Sequence, residues 1–385
     1  MLNIYAAYDV FPSAKGSSTH IKEMISELAT HGDELRLLCL RGNDKLPAVQ
    51  RHDNILIKRY YSEEKLNYLE KASLFSEEIF LEVERNAKDI MIAHFRDIWS
   101  GLGIVAHKDV TSVFEVNALT SIELSYRYPN LTDDFLDKLR SLEQKCLSDA
   151  NVIVTPSYTT KEFLVSNYTI PEKKINVIPN GAYIPESFEK PEDIPENYII
   201  YFGALQPWQG IEVLLKAMTF LQDYKELKLV ICSSVKEKAF KPLQKFIEKL
   251  EITNRVIVKS KLQREELYNY IHYAKLSIAP LKACDRNIIQ GCSPLKILES
   301  MACQTTIVAS DLPVVRELVS EKEAMLFEPD RELDLARCIR FLLDSPEESK
   351  ILSDNALARM KKEFTWELQL QKLKKLYKEI STYYE

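Results

Sequence analysis

The chain has 385 residues, and single hydrophobic cores stop growing at about 250–300, so two domains are the starting expectation. Its 46% hydrophobic and 28% charged residues match soluble globular proteins and exclude disordered, collagen-like and fibrous classes. With 51 Lys+Arg against 57 Asp+Glu, the net charge is −6. No general positive field draws nucleic acid or anionic lipid, and an anionic ligand needs a local basic site.

Short β-branched runs alternate with longer amphipathic segments, the pattern of buried parallel strands joined by crossover helices, so the class is α/β. The first half predicts strands at Leu2–Tyr8, Glu34–Leu40, Ile55–Tyr61, Asp89–His94, Ser112–Val116 and Asn151–Thr155. After the first strand comes Lys15-Gly16-Ser17-Ser18-Thr19-His20, then Ile21, Met24, Ile25 and Leu28 at helical spacing. A lone glycine there is usually just a turn, but Gly16 also removes the Cβ that would block a ligand at the helix start. His94 ends a strand, where a lone histidine is more often a packing residue than a ligand contact. Glu115 and Asn117 close the next strand.

Ile178-Pro179-Asn180-Gly181 is a turn signal, and residues 182–197 hold three prolines and five acidic residues, which reads as an interdomain linker. Alternation restarts with strands at Tyr198–Gly203, Lys228–Ser233, Val256–Lys259, Leu276–Pro280, Thr305–Ser310 and Ala324–Phe327. A last periodic helix begins at Phe364. The expected domains are 1–181, a linker 182–197, a second doubly wound domain 198–363, and a terminal segment 364–385 returning to the first domain.

Seven cysteines, odd in number and never in C-x-x-C, argue against a disulfide framework or a zinc cage and fit a reducing compartment. The N-terminus lacks a signal-peptide pattern and no apolar run is long enough to cross a bilayer, so a cytoplasmic location is expected. The six histidines form no HxH or HExxH set, so no metal is expected. P-loop, G-x-S-x-G and complete G-x-G-x-x-G motifs are absent. The best amphipathic stretch, Ser62 to Asn86, carries seven Glu against three basic residues, so stable membrane docking is not expected.

The stretch richest in chemistry is Asp285 to Ala302 (DRNIIQGCSPLKILESMA), between the strand at Leu276–Pro280 and a helix. Ser293 reads as its N-cap and Pro294 as its first helical residue. Amides and dipole at such a helix start suit a phosphate, with Lys296 and Arg286 supplying charge and Glu299 placed for a ribose diol. Spacing alone fits a capped surface helix as readily.

This stretch, with Met301-Ala302-Cys303 and Thr306 to Pro313 (TIVASDLP), resembles the nucleotide-sugar site of retaining GT-B glycosyltransferases of family 4 (glycosyl transferases group 1). Further matches are Val154-Thr155-Pro156-Ser157, Ile178-Pro179-Asn180-Gly181, Tyr201-Phe202-Gly203 through Gly210, and Phe364-Thr365-Trp366. The resemblance implies two Rossmann-like domains facing across a cleft, and transfer of a sugar from a nucleoside-diphosphate donor to an acceptor hydroxyl with retention. It implies catalytic roles for His94, Lys296 and Arg286. Donor contacts fall to Gly16, Gly291, Cys292, Ser293, Pro294, Leu295 and Glu299, and acceptor contacts to Glu115 and Asn117. The co-substrate is a nucleotide sugar, with no other cofactor. The acceptor is a carbohydrate, a lipid-linked sugar or a small molecule.

Three positions depart from the family pattern. Gly291 stands where the family has a Glu eight residues before the ribose Glu, which leaves the sugar to backbone amides of Gly291 and Cys292 or to Gln290. Ala204 and Gln209 replace an Arg and a Lys that reach the diphosphate. Two alternatives stay open: a nucleotide-sugar epimerase of the same fold, and a non-catalytic nucleotide-sugar-binding subunit.

Overall fold

Runs such as Ile90-Met91-Ile92-Ala93 and Tyr198-Ile199-Ile200-Tyr201-Phe202 have no polar alternation because both faces of their strands are covered, and every residue of the second run is buried. A computed structural model of the chain describes all residues except 14–15, 43–44, 62–65, 234–236, 261 and 385. Lys15 and the start of the Ser62–Asn86 stretch therefore lie outside the described residues. The chain divides into two compact units. One is Met1–Pro179 with Gln290–Cys292 and Gln369–Glu385, and the other is Asn180–Ile289 with Ser293–Leu368. Residues 182–197 belong to the second unit.

The first unit is built on β1 (Leu2–Val10), β2 (Glu34–Leu40), β3 (Val49–His52), β4 (Ile55–Tyr60), β5 (Ile90–Phe95), β6 (Ser112–Glu115), β7 (Val152–Thr155) and β8 (Ile175–Val177). Their order in the sheet is β3-β4-β2-β1-β5-β6-β7-β8, parallel throughout except for the antiparallel β3–β4 pair. β3 and β8 are additional to the strands predicted. The sequence of β3, Val-Gln-Arg-His, has no apolar run because it is a largely exposed edge strand, and β8 has only three residues. The order reverses between β1 and β5, and in doubly wound sheets ligands bind at the carboxyl ends of the strands flanking such a point.

The second unit contains β9 (Tyr198–Phe202), β10 (Lys228–Cys232), β11 (Val256–Lys259), β12 (Leu276–Ala279), β13 (Ile307–Ser310) and β14 (Ala324–Phe327). All are parallel, in the order β11-β10-β9-β12-β13-β14, with the reversal between β9 and β12. The helix Trp366–Tyr384 follows, and from Gln369 onward it groups with the first unit. No helix among the described residues is long and apolar enough to cross a membrane.

Candidate functional site

In the second unit the segment after β12 runs through a π-helical turn, Arg286–Gln290, to the helix Leu295–Ala302. That helix starts later than the sequence predicts. Pro294 is the extended N-cap residue and Ser293 is not the cap, because its hydroxyl accepts the backbone N–H of Asn180 at 3.2 Å. The Asn180 side-chain amide also donates to the Ser293 carbonyl at 2.7 Å, so Asn180 holds the residues just before this helix. Gly181 matters to the same turn, since a Cβ there would lie 2.7 Å from the backbone of Trp366. No side chain caps the helix Leu295–Ala302.

Lys296 is buried in the first turn of this helix, with its ammonium 4.2 Å from the centroid of the Tyr201 ring. Tyr201 belongs to β9, so the cation sits by the strands that flank the reversal, and its side chain passes 4.0 Å from where a Cβ of Gly203 would be. Arg286 is half-buried, and its guanidinium carbon lies 5.6 Å from the Trp208 ring centroid. Glu299 is partly exposed, yet desolvation of its carboxyl, opposed by Arg264 and Lys296, pushes its pKa up to about 7. The structure therefore brings Lys296 and Glu299 together on one short helix and places Arg286 on the turn before it. Leu295, the first residue of that helix, is partly exposed.

Gly291 and Cys292 group with the first unit. Gly291 has φ +83°, and a Cβ would lie 2.7 Å from both Ser157 Oγ and Thr160 Oγ1. Ser157 caps the helix Tyr158–Tyr168, so Gly291 presses on an occupied cap and the family's glutamate has no room at this position. Gln290 is fully buried. Its Oε1 accepts the Leu119 N–H at 2.9 Å, and its Nε2 has no partner among the described residues.

In the first unit the named residues converge on a carboxylate. His94 is fully buried in β5, with Nδ1 2.6 Å from the Tyr377 hydroxyl and Nε2 3.2 Å from Glu115 Oε2. Glu115 is not an open acceptor contact: it is 2% exposed and receives the Tyr5 hydroxyl at 2.7 Å. His20 lies 3.2 Å and Arg96 3.7 Å from its other oxygen, to which Asn117 also donates. Asn117 thus serves the carboxylate in this conformation. Burial alone would raise the Glu115 pKa, but His20, Arg96 and His94 together hold it well below the usual carboxylate range. Burial drives His20 down to about 4 against the pull of Glu115, so its imidazole is neutral at pH 7. Gly16 opens the helix that carries His20.

Sequence reasoning missed Tyr5, His20, Arg96 and Tyr377. Arg96 carried a signal, as a charge directly after the buried β5. Tyr377 carried none, because its partner lies far away along the chain. Among the described residues no group of His, Cys, Asp and Glu is arranged to hold a metal ion.

Two family models cover the chain in succession: Glycosyltransferase Family 4 over residues 14–183 and Glycosyl transferases group 1 over residues 184–359. Curated relatives include the O-antigen chain mannosyltransferase of Salmonella typhimurium, 26% identical over 58% of this chain and 59% of the relative. An uncharacterized glycosyltransferase of Methanocaldococcus jannaschii is 24% identical over 98% of both chains. The MMP alpha-(1->4)-mannosyltransferase of Mycolicibacterium hassiacum is 28% identical over 56% of this chain and 51% of its own. The matched stretch thus spans little more than half the length of the two mannosyltransferases. Among solved structures, sucrose-phosphate synthase from Thermosynechococcus elongatus has a TM-score of 0.81 at 18% identity, covering 99% of both chains. HepE from Anabaena, solved in complex with UDP-glucose, has a TM-score of 0.76 at 16% identity, covering 98% of this chain and 99% of its own.

Proposed function

Because this chain belongs to the family 4, group 1 glycosyltransferases, with the GT-B fold, we propose that it moves a hexosyl group from a nucleoside-diphosphate donor to an acceptor hydroxyl with retention of configuration. The observation that carries it is the buried Lys296 in the uncapped first turn of the helix after β12, three residues before a carboxyl that titrates at about 7. A diphosphate leaving group gains negative charge as the glycosidic bond breaks, and a fixed cation with helix-start amides stabilises that charge. Arg286 adds a second cation from the preceding turn. Glu299, once ionised, accepts the hydroxyls of a ribose. That a protein of this fold was solved with UDP-glucose supports a nucleotide sugar as donor.

In the first unit we assign His94 to the transferred sugar, with Glu115 and Tyr377 on either side of its ring. Both ring nitrogens face protein partners, so the imidazole meets the sugar by turning away from Tyr377 or Glu115. A panel of nucleotide sugars, read by thermal stabilisation, tests the donor: a donor at 100 times its Kd adds about 2.7 kcal/mol. Stabilisation by none of them would end this reading. The anomeric configuration of the product, read by NMR, tests retention, and donor turnover without acceptor would favour the epimerase.

A further inference from the structure

Away from the Glu115 cluster, the first unit holds a groove of about 340 Å³. Ile55 and Ile57, on one face of β4, form its floor, with Ile25 from the helix Gly16–Leu28 alongside. Phe11 and Pro12, in the loop after β1, also line it. From Ile55 to Arg59 the strand runs about 13 Å at ~3.3 Å per residue. The charged lining side chains are Lys22 and Arg59, with His52 beside them; among the described residues it has no Asp or Glu, on a chain whose net charge is −6.

Arg59 gives the groove its chemistry. It is only 5% exposed and donates to the carbonyls of Phe11 (2.8 Å) and Pro47 (3.0 Å) and to Gln50 Oε1 (2.9 Å), all neutral acceptors. A guanidinium has five N–H donors, so these three bonds leave two over. Among the described residues, the ionisable groups that act on it are Cys39 and Arg41, and burial pushes the Cys39 thiol up to about 12, so neither supplies an anion at pH 7. A buried cation without a counter-charge is costly, and an anionic ligand relieves that cost. Arg59 lies at the Phe11 end, by the carboxyl edge where such sheets bind ligands.

We propose that this groove binds a phosphate ester of a long-chain alcohol, an alkyl or isoprenyl phosphate. Its chain lies along Ile25, Ile55 and Ile57 and its phosphate meets Arg59 and Lys22. This rests on the reading of the first unit as the acceptor side, and gives the acceptor a lipid-phosphate carrier. Aliphatic floor and cationic end each select one half of the ligand.

The test titrates the full-length protein with farnesyl phosphate below its micelle concentration, with farnesol and inorganic phosphate as separate probes. Farnesyl phosphate should bind at least tenfold more tightly than either. Ile55→Glu, at a partly exposed position, and Lys22→Glu, at an exposed one, should each weaken it tenfold or more. Equal binding of farnesol, or unchanged affinity in both variants, overturns the proposal. Stabilisation by nucleotide sugar, measured on the same samples, reports the donor reading separately and should be the same in wild type and both variants.

Discussion

The hydroxyl of Tyr377 lies 2.6 Å from Nδ1 of His94, joining the last helix to the fifth strand of the first unit. Both side chains are fully buried, so the bond fixes the imidazole with Nε2 toward Glu115. Tyr377→Phe leaves that nitrogen buried without a partner, and loss of about 1–3 kcal/mol is expected in urea unfolding. Turnover should fall while donor affinity, set in the second unit, stays constant. A variant with wild-type stability and turnover would show the bond to be incidental.

His20 and Glu115 give stability a pH dependence of definite sign. The native His20 binds its proton only near pH 4, whereas an unfolded histidine binds near 6.5, so the unfolded state holds more protons between the two. The His20 contribution is therefore full above about pH 6.5 and is lost as pH falls toward 4. Glu115, depressed in the native state, adds a further loss below the ordinary carboxylate range. Glu299 and Asp97, both raised by burial, act in the opposite sense, so the His20 share is read as a difference: from pH 7 to pH 5 the urea midpoint of His20→Gln should rise relative to that of the wild type. An equal slope in both would rule out His20 as the source.

If Glu299 holds the donor's ribose as proposed, donor affinity depends on pH near neutrality. Its carboxyl titrates at about 7, and only the ionised form accepts from both hydroxyls of a ribose diol. Donor binding should weaken as pH falls from 8 to 6, and Glu299→Gln should bind weakly at both. Calorimetry that finds one affinity across this range in the wild type would remove Glu299 from the ribose.

Lys296→Ala should lower turnover about 10²–10³-fold if the ammonium meets charge that develops on the leaving group. Lys296→Arg should recover only part of the loss, because a larger planar group replaces a buried ammonium 4.2 Å from the Tyr201 ring centroid. Wild-type kcat in Lys296→Ala would exclude that role.

Gly291→Ala should destabilise by about 1–3 kcal/mol, from a left-handed backbone at φ +83° and contacts of 2.7 Å with Ser157 and Thr160. Gly291→Glu, which restores the family pattern in sequence, should lose more stability and gain no activity. Recovery of activity in that variant would mean the loop has another conformation for the donor.

The alternation of apolar runs and amphipathic segments, read locally, gave the α/β class and twelve of the strands to within two residues at each end. β3 escaped because an exposed edge strand buries too little to need an apolar pattern. The segment after β12 was legible for a related reason: Arg286, Lys296 and Glu299 lie within one strand–turn–helix unit, so their proximity follows from local geometry. Even there the cap shifted, since Ser293 is held by Asn180, a contact across more than a hundred residues.

What the sequence determined by itself was everything set by neighbours in the chain: periodicity, helix starts and the cationic turn after β12. Tertiary structure alone decided that Tyr5, His20, His94 and Arg96 surround Glu115 with Tyr377 behind His94, and that Gly291 abuts the Ser157 cap. The order β2-β1-β5-β6 brings distant strands side by side, and a buried carboxylate gathers partners from whatever the sheet places within reach. Strand order depends on which surfaces bury one another, and local spacing does not encode it.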